Sequence, residues 1–238
     1  MKRLLALIRC DVLLQARNGF YWASGFVVLA VSALLAALPE DVRSAPSLGV
    51  PALVAFNLQI TTFFFVAGLM LLEREEGTLT ALGASPVSPG VYMASRTMTL
   101  AGLAAAETLV IVWFGFGLFA SWWLLAGIVA MGVTYTGFGA ALATRYASIN
   151  ELLLPASVVV TLLLLPLLGH FGLTSRVAWV WHPMAPTIAL IRGAYEPIGL
   201  AESFFGIFGA VAWATAAFRL ATHGAARLMR DTRASGGR

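Results

Sequence analysis

Of 238 residues, 60% are hydrophobic and 11% charged, with a mean hydropathy of +0.87. A soluble domain carries about 25% charged residues, so the composition indicates an integral membrane protein and argues against a soluble domain. A single cysteine, Cys10, excludes an intrachain disulfide and any Cys-based metal cluster. Fourteen arginines accompany one lysine, Lys2, so the chain has no lysine to complete a G-x-x-x-x-G-K-[ST] phosphate loop.

In chain order, residues 2–17 come first. At about 100° per residue, Lys2, Arg3, Arg9 and Arg17 share one arc, and Leu4, Leu5, Ile8 and Val12 share the opposite one. That pattern predicts a helix in the headgroup plane with its basic face toward anionic lipid. Asp11 at the edge of the apolar arc requires either a partner or packing against protein. The charges at Arg9, Asp11 and Arg17 break up the early apolar run and argue against a cleavable signal segment.

Six apolar segments follow, at 19–38, 52–72, 97–119, 124–144, 152–169 and 203–222, each near the ~20 residues that a spanning helix needs. Twelve basic residues (Lys2, Arg3, Arg9, Arg17, Arg74, Arg96, Arg145, Arg219, Arg227, Arg230, Arg233 and Arg238) fall on one side, and Arg43, Arg176 and Arg192 on the other. By the positive-inside rule both termini are cytoplasmic.

Between the second and third segments lies a polar insert, Glu73 to Pro89, EREEGTLTALGASPVSP. Gly77 is expected to break the preceding helix. Thr78 is the expected N-cap of a short helix Leu79–Leu82 that Gly83 closes, and Ser88-Pro89 open the next helix. A rigid helix at the membrane surface can transmit a push. Glu73, Arg74, Glu75 and Glu76 are its candidate charged contacts, and Leu79 with Leu82, three apart on one face, its apolar knob.

Within the spans, Glu107 lies near mid-membrane, where an ionised acid costs about 2.5–3.5 kcal/mol. It either lines a cavity for a cationic or amphiphilic cargo, or relays a proton, or is a protonated acid bonded to Asn57, Gln59, Thr61, Thr62 or Thr134. Asn57, Gln59, Thr61 and Thr62 either contact cargo or join helices. Pro155 and Pro166 are expected to kink the fifth span. His170 and His182 read as outer-interface residues beside Trp179 and Trp181. The three histidines have no ligand spacing, and no Gly-x-Ser-x-Gly elbow is present.

The run LLEREEGTLTALGASPVSPGVYMASR, Leu71 to Arg96, resembles the segment joining the second and third spans of ABC-2-type transporter permeases. A second stretch, HPMAPTIALIRGAYEP (His182 to Pro197), is similar to that family's segment before the last span. FFFVAGLMLLERE and LLPLLGHFGL are similar to permeases of drug exporters of the fluoroquinolone type. The resemblance implies an all-α integral membrane protein with an interfacial helix, six transmembrane helices and the ABC-2 (type V exporter-like) fold. It implies one domain, 1–238, comprising an interfacial helix (1–18), a cytoplasmic coupling segment (73–96) and an extracytoplasmic re-entrant segment (170–202).

It further implies a bacterial inner-membrane exporter subunit that moves a hydrophobic or amphiphilic, drug-like cargo outward. Such a subunit is no enzyme: it holds no cofactor, and ATP and Mg belong to a separate ABC ATPase subunit. Glu73, Arg74, Glu75, Glu76, Gly77, Thr78, Leu79, Leu82, Ser85 and Pro86 would meet that ATPase. A second permease chain, identical or paralogous, and membrane lipids complete the expected partners; no nucleic acid is expected. Export of haem or a lipid-linked glycan is the alternative. A secondary transporter would need more midplane ionisable groups and internal repeats, and a membrane enzyme would need a catalytic constellation.

Overall fold

The computed structural model describes residues 2–117 and 121–235, and among them every regular element is helical. The N-terminal helix α1 (Lys2–Arg17) meets α2 (Phe20–Ala36) at a 67° bend. Gly19, at φ 77°, makes that bend in a left-handed conformation that glycine adopts without a Cβ penalty. After α3 (Glu40–Arg43), the second span runs as α4 (Pro46–Leu58), a π-helical turn (Gln59–Phe64) and α5 (Phe65–Glu75). The short helix α6 (Thr78–Ala84) precedes α7 (Pro89–Phe116), α8 (Trp122–Ala143) and α9 (Ile149–Leu164). Then come α10 (Pro166–His170), a 3₁₀ turn (Arg176–Trp179), α11 (Ala185–Arg192) and α12 (Leu200–Ser235).

Among the described residues, five helical stretches are long and apolar enough to cross a membrane, or six if the bent α1–α2 pair is counted as one span. Pro166 interrupts the fifth span, where α10 begins, whereas Pro155 lies inside α9. Arg238 lies outside the described residues.

The central helix is α8. It packs on α12, α7, α11, α5 and the π-helical turn, and glycines make these approaches close. A Cβ at Gly137 would stand 2.6 Å from the carbonyl carbon of Ala217, one at Gly139 2.5 Å from the carbonyl oxygen of Phe63, and one at Gly127 3.2 Å from that of Thr187. Between membrane helices, lipid tails are as apolar as leucine, so close backbone approach supplies the packing energy. The short α11 enters this space, its residues 186–192 buried between α4, α8 and α12.

The two ends of the bundle differ. At one end lie α1, α6, the 144–148 turn and the last turns of α12, with Arg74 Nη1 donating to the carbonyl of Tyr146 at 2.9 Å. At the other, His170 is buried with Nε2 2.9 Å from the carbonyl of Leu48. It is therefore a packed residue, contrary to the wet-interface expectation, because the chain from α10 folds back over it. Arg192 pairs with Glu202 there and lies 3.8 Å from Glu196, fastening α11 to α12.

Because Gly137 has no room for a Cβ, Gly137→Ala should push α8 from α12 and destabilise the protein by about 1–3 kcal/mol. Gly102→Ala, with open space around it, should be neutral or slightly stabilising. Thermal unfolding of the two variants in detergent checks the contrast.

Candidate coupling site at the elbow

The elbow begins where Gly77, at φ 71°, ends α5 and starts α6. Gly77 itself occupies the N-cap position, so Thr78 is the first helical residue rather than the cap, and α6 runs on past Gly83 to Ala84. Ser85 folds its hydroxyl back onto the carbonyl of Leu82 at 2.7 Å and accepts from the Val87 amide. Ser88 caps α7 by accepting from the Val91 amide at 3.3 Å, with Pro89 at the first position, where a missing N–H costs nothing.

What fixes this elbow is α1, which crosses it like a strap. Near its start, Arg3 donates to the carbonyl of Pro86 at 3.1 Å; at its end, Arg17 pairs with Glu76 at 3.3 Å. Between them the contact is buried. Asp11 lies 3.2 Å from Nε of Arg96, and Ser95 donates to its other oxygen. The same guanidinium pairs with Glu73, whose second oxygen accepts from Tyr92 at 2.6 Å. Arg96 also stands over the Tyr92 ring, 5.5 Å from its centroid. Three residues on, Thr99 accepts from Gln15, which itself accepts from Tyr21 of α2.

Arg96 is fully buried, and Asp11 and Glu73 are 5% and 4% exposed. Removing three charges from water costs several kcal/mol per ion, which mutual pairing and the added hydroxyl donors offset. One cation between two carboxylates holds three elements in one arrangement: α1, the end of α5 and the start of α7.

Two expectations about the elbow's contacts are also corrected. Glu73 is not a charged contact for a soluble partner, because Arg96 and Tyr92 draw it into the bundle. Leu79 is not an exposed knob: it is 2% exposed, and Leu82 is half-buried beside it, on the side of α6 that packs against α12. Arg74, Glu75, Glu76, Gly77, Thr78, Ala81 and Pro86 are exposed, and Ser85 is half-buried. The pattern Tyr92, Ser95, Arg96, Thr99 on one α7 face, opposite a face of α1 carrying Asp11 and Gln15, was the sequence signal for the strap. It was missed because Arg96 read only as a topology charge.

A second polar group lies within the spans. Glu107 accepts from Thr61 at 2.6 Å, with Ser24 and Asn57 flanking the same carboxyl. Asn57 donates to Thr108 at 3.0 Å. Thr62 and Thr134 instead bond their own helices, at the carbonyls of Leu58 and Ala130. Buried oxygens of Ser24, Asn57, Gln59 and Glu107 have no hydrogen bond of normal geometry. Thr61 lies in the π-helical turn, a distortion frequent at functional sites.

With this geometry in place, similarity to known proteins becomes informative. The model of the fluoroquinolones export permease protein family matches residues 2–230. The chain belongs to that family. Two curated fluoroquinolones export permease proteins of Mycobacterium tuberculosis, from strains CDC 1551 / Oshkosh and ATCC 25618 / H37Rv, are each 27% identical over 205 residues. The match covers 84% of this chain and 84% of each relative. Family, helical architecture and five or six candidate spans together make this an all-α, multi-pass, ABC-2-type membrane permease.

In the permease, Arg96→Met should leave two buried carboxylates without a counter-charge and cost about 3–5 kcal/mol. The double variant Arg96→Met with Asp11→Asn should recover part of that loss. Thermal unfolding and the monodisperse fraction in detergent measure both, and equal stability of wild type and Arg96→Met would dismiss the strap.

Proposed function

We propose that the permease is the membrane subunit of a bacterial ATP-driven exporter of drug-like molecules, powered by a separate ABC ATPase. The supporting observation is the elbow: Arg74 to Thr78 and Ala81 are exposed beside the Arg96 clamp, which ties α1, α5 and α7 together. A force applied there moves the second span through α5, the third through α7, and the first through α1 and Gly19. The elbow end is then cytoplasmic, in line with the excess of basic residues. Two permease chains with two ATPase subunits form the working unit, and ATP with Mg stays on the ATPase. The only lysine is Lys2, which cannot complete a phosphate loop.

The cargo reading follows the relatives, whose names specify fluoroquinolones. Those compounds are aromatic and commonly carry a basic amine, which suits an acid such as Glu107 reached from an opened bundle. Unpaired polar atoms in a membrane interior are costly, so a cluster of them is a functional candidate by default.

Ala81→Asp tests the docking face. A carboxylate forced into the ATPase contact should lower retention of a co-expressed ATPase subunit by at least roughly tenfold, about 1.4 kcal/mol. It should leave permease folding intact, and Thr78→Cys should label from the cytoplasmic side. Full retention and transport in Ala81→Asp, or labelling of Thr78→Cys only from outside, would remove the docking proposal.

Glu107→Gln tests the cargo contact separately. It keeps the shape and the hydrogen bond from Thr61 but removes the acid. Efflux of a fluorescent fluoroquinolone from cells should fall several-fold, by about 1 kcal/mol or more, with unchanged yield and melting temperature. Unaltered efflux would make Glu107 a helix-joining residue only.

A further inference from the structure

The last helix is longer than a membrane needs. Its 36 residues extend about 54 Å, against a hydrocarbon core of about 30 Å. Counting from Leu200, Arg219 falls about 29 Å along the axis, at the inner edge of the apolar core. It is the first basic residue of α12.

At that level α12 and the start of α7 enclose an open groove of about 360 Å³, lined by Gly90, Phe218, Arg219, Thr222 and His223 among others. A second hollow continues it farther from the core, with Arg230 on its wall. No acidic residue lines either one. Arg219, His223 and Arg230 are exposed, and among the described residues neither Arg219 nor Arg230 forms an ion pair. Arg230 returns Nε to the carbonyl of Ala226. Arg17, Arg96 and Arg192 all have carboxylate partners, so these cations differ from the structural ones.

The facing wall is the N-terminus of the 28-residue α7, whose positive dipole end adds to the same field. Guanidinium and imidazole donors sit beside Phe218, at the depth where a headgroup joins its acyl chains. We propose that this groove binds an anionic phospholipid of the cytoplasmic leaflet, with its phosphate on Arg219 and its chains beside Phe218. Arg230 strengthens the local field one groove farther out. A basic groove at this depth suits a phosphate-bearing lipid, whose attraction to each surface arginine changes binding by about fivefold.

The proposal rests on the reading that the elbow end is cytoplasmic. The lipid assay does not sense sidedness, so its outcome stays separate from the cysteine labelling. Native mass spectrometry of the detergent-purified full chain, titrated with phosphatidylglycerol or phosphatidylcholine, reads retained lipid directly.

Phosphatidylglycerol should be retained in preference to phosphatidylcholine. Arg219→Gln should lower its retention about fivefold, Arg219→Lys should restore most of it, and added salt should weaken it. Arg227→Gln removes an exposed charge from the same helix that does not line the groove, and should change retention little. Equal retention of both lipids, or equal losses in Arg227→Gln and Arg219→Gln, would overturn the site in favour of a diffuse basic surface. Displacement of the lipid by millimolar inorganic phosphate would show a free-anion site and would also overturn it.

Discussion

The arrangement at the elbow depends on one buried guanidinium. Arg96 stands between Asp11 and Glu73 with no exposure of its own, and its partners come from different elements. In a membrane protein this constraint has unusual weight. Apolar faces are satisfied equally by lipid or by another helix, so apolar contact alone sets helix register weakly. A buried cation satisfied only when two particular carboxylates meet it removes that freedom. The hydroxyls of Ser95 and Tyr92 complete the set by donating to the same acids.

The opposite end repeats the device with other residues. Arg192 on α11 meets Glu196 and Glu202, again one guanidinium with two carboxylates and again a short helix tied to a spanning one. Between these clamps the bundle is joined by close backbone contact at α8 instead, where glycines admit α12, α11 and the π-helical turn. Ion pairs therefore fasten the two ends of the bundle, and close backbone packing holds its middle.

The sequence made the long elements legible because hydrophobic length and basic asymmetry are properties of single segments. The polar insert, the cap at Ser88 and the short helix after Gly77 were legible for the same reason: each follows from a few adjacent residues. What could not be read was partnership across distance. Glu73 and Glu75 are chemically alike and two positions apart, yet one is buried and the other exposed, because only one faces Arg96. Leu79 looked like an outward knob because the helix that covers it, α12, lies far along the chain. Asp11 did announce an unmet need, and the structure supplies both the partner and the packing.

The mid-membrane cluster carries the remaining tension in the fold. Thr61 reaches Glu107 from a π-helical turn, whose wider spacing rotates the residues after it relative to a continuous α-helix. The same turn brings Phe63 against Gly139 of α8, so the distortion that serves the acid also seats the second span on the central helix. α5 begins just after that seat and carries Glu73 near its end, in the grip of Arg96. On the proposed coupling, a displacement of the elbow would travel along α5 and through the π-helical turn to the residues around Glu107. α5 and the π-helical turn are thus the elements that join the charged strap to the polar cluster within the span.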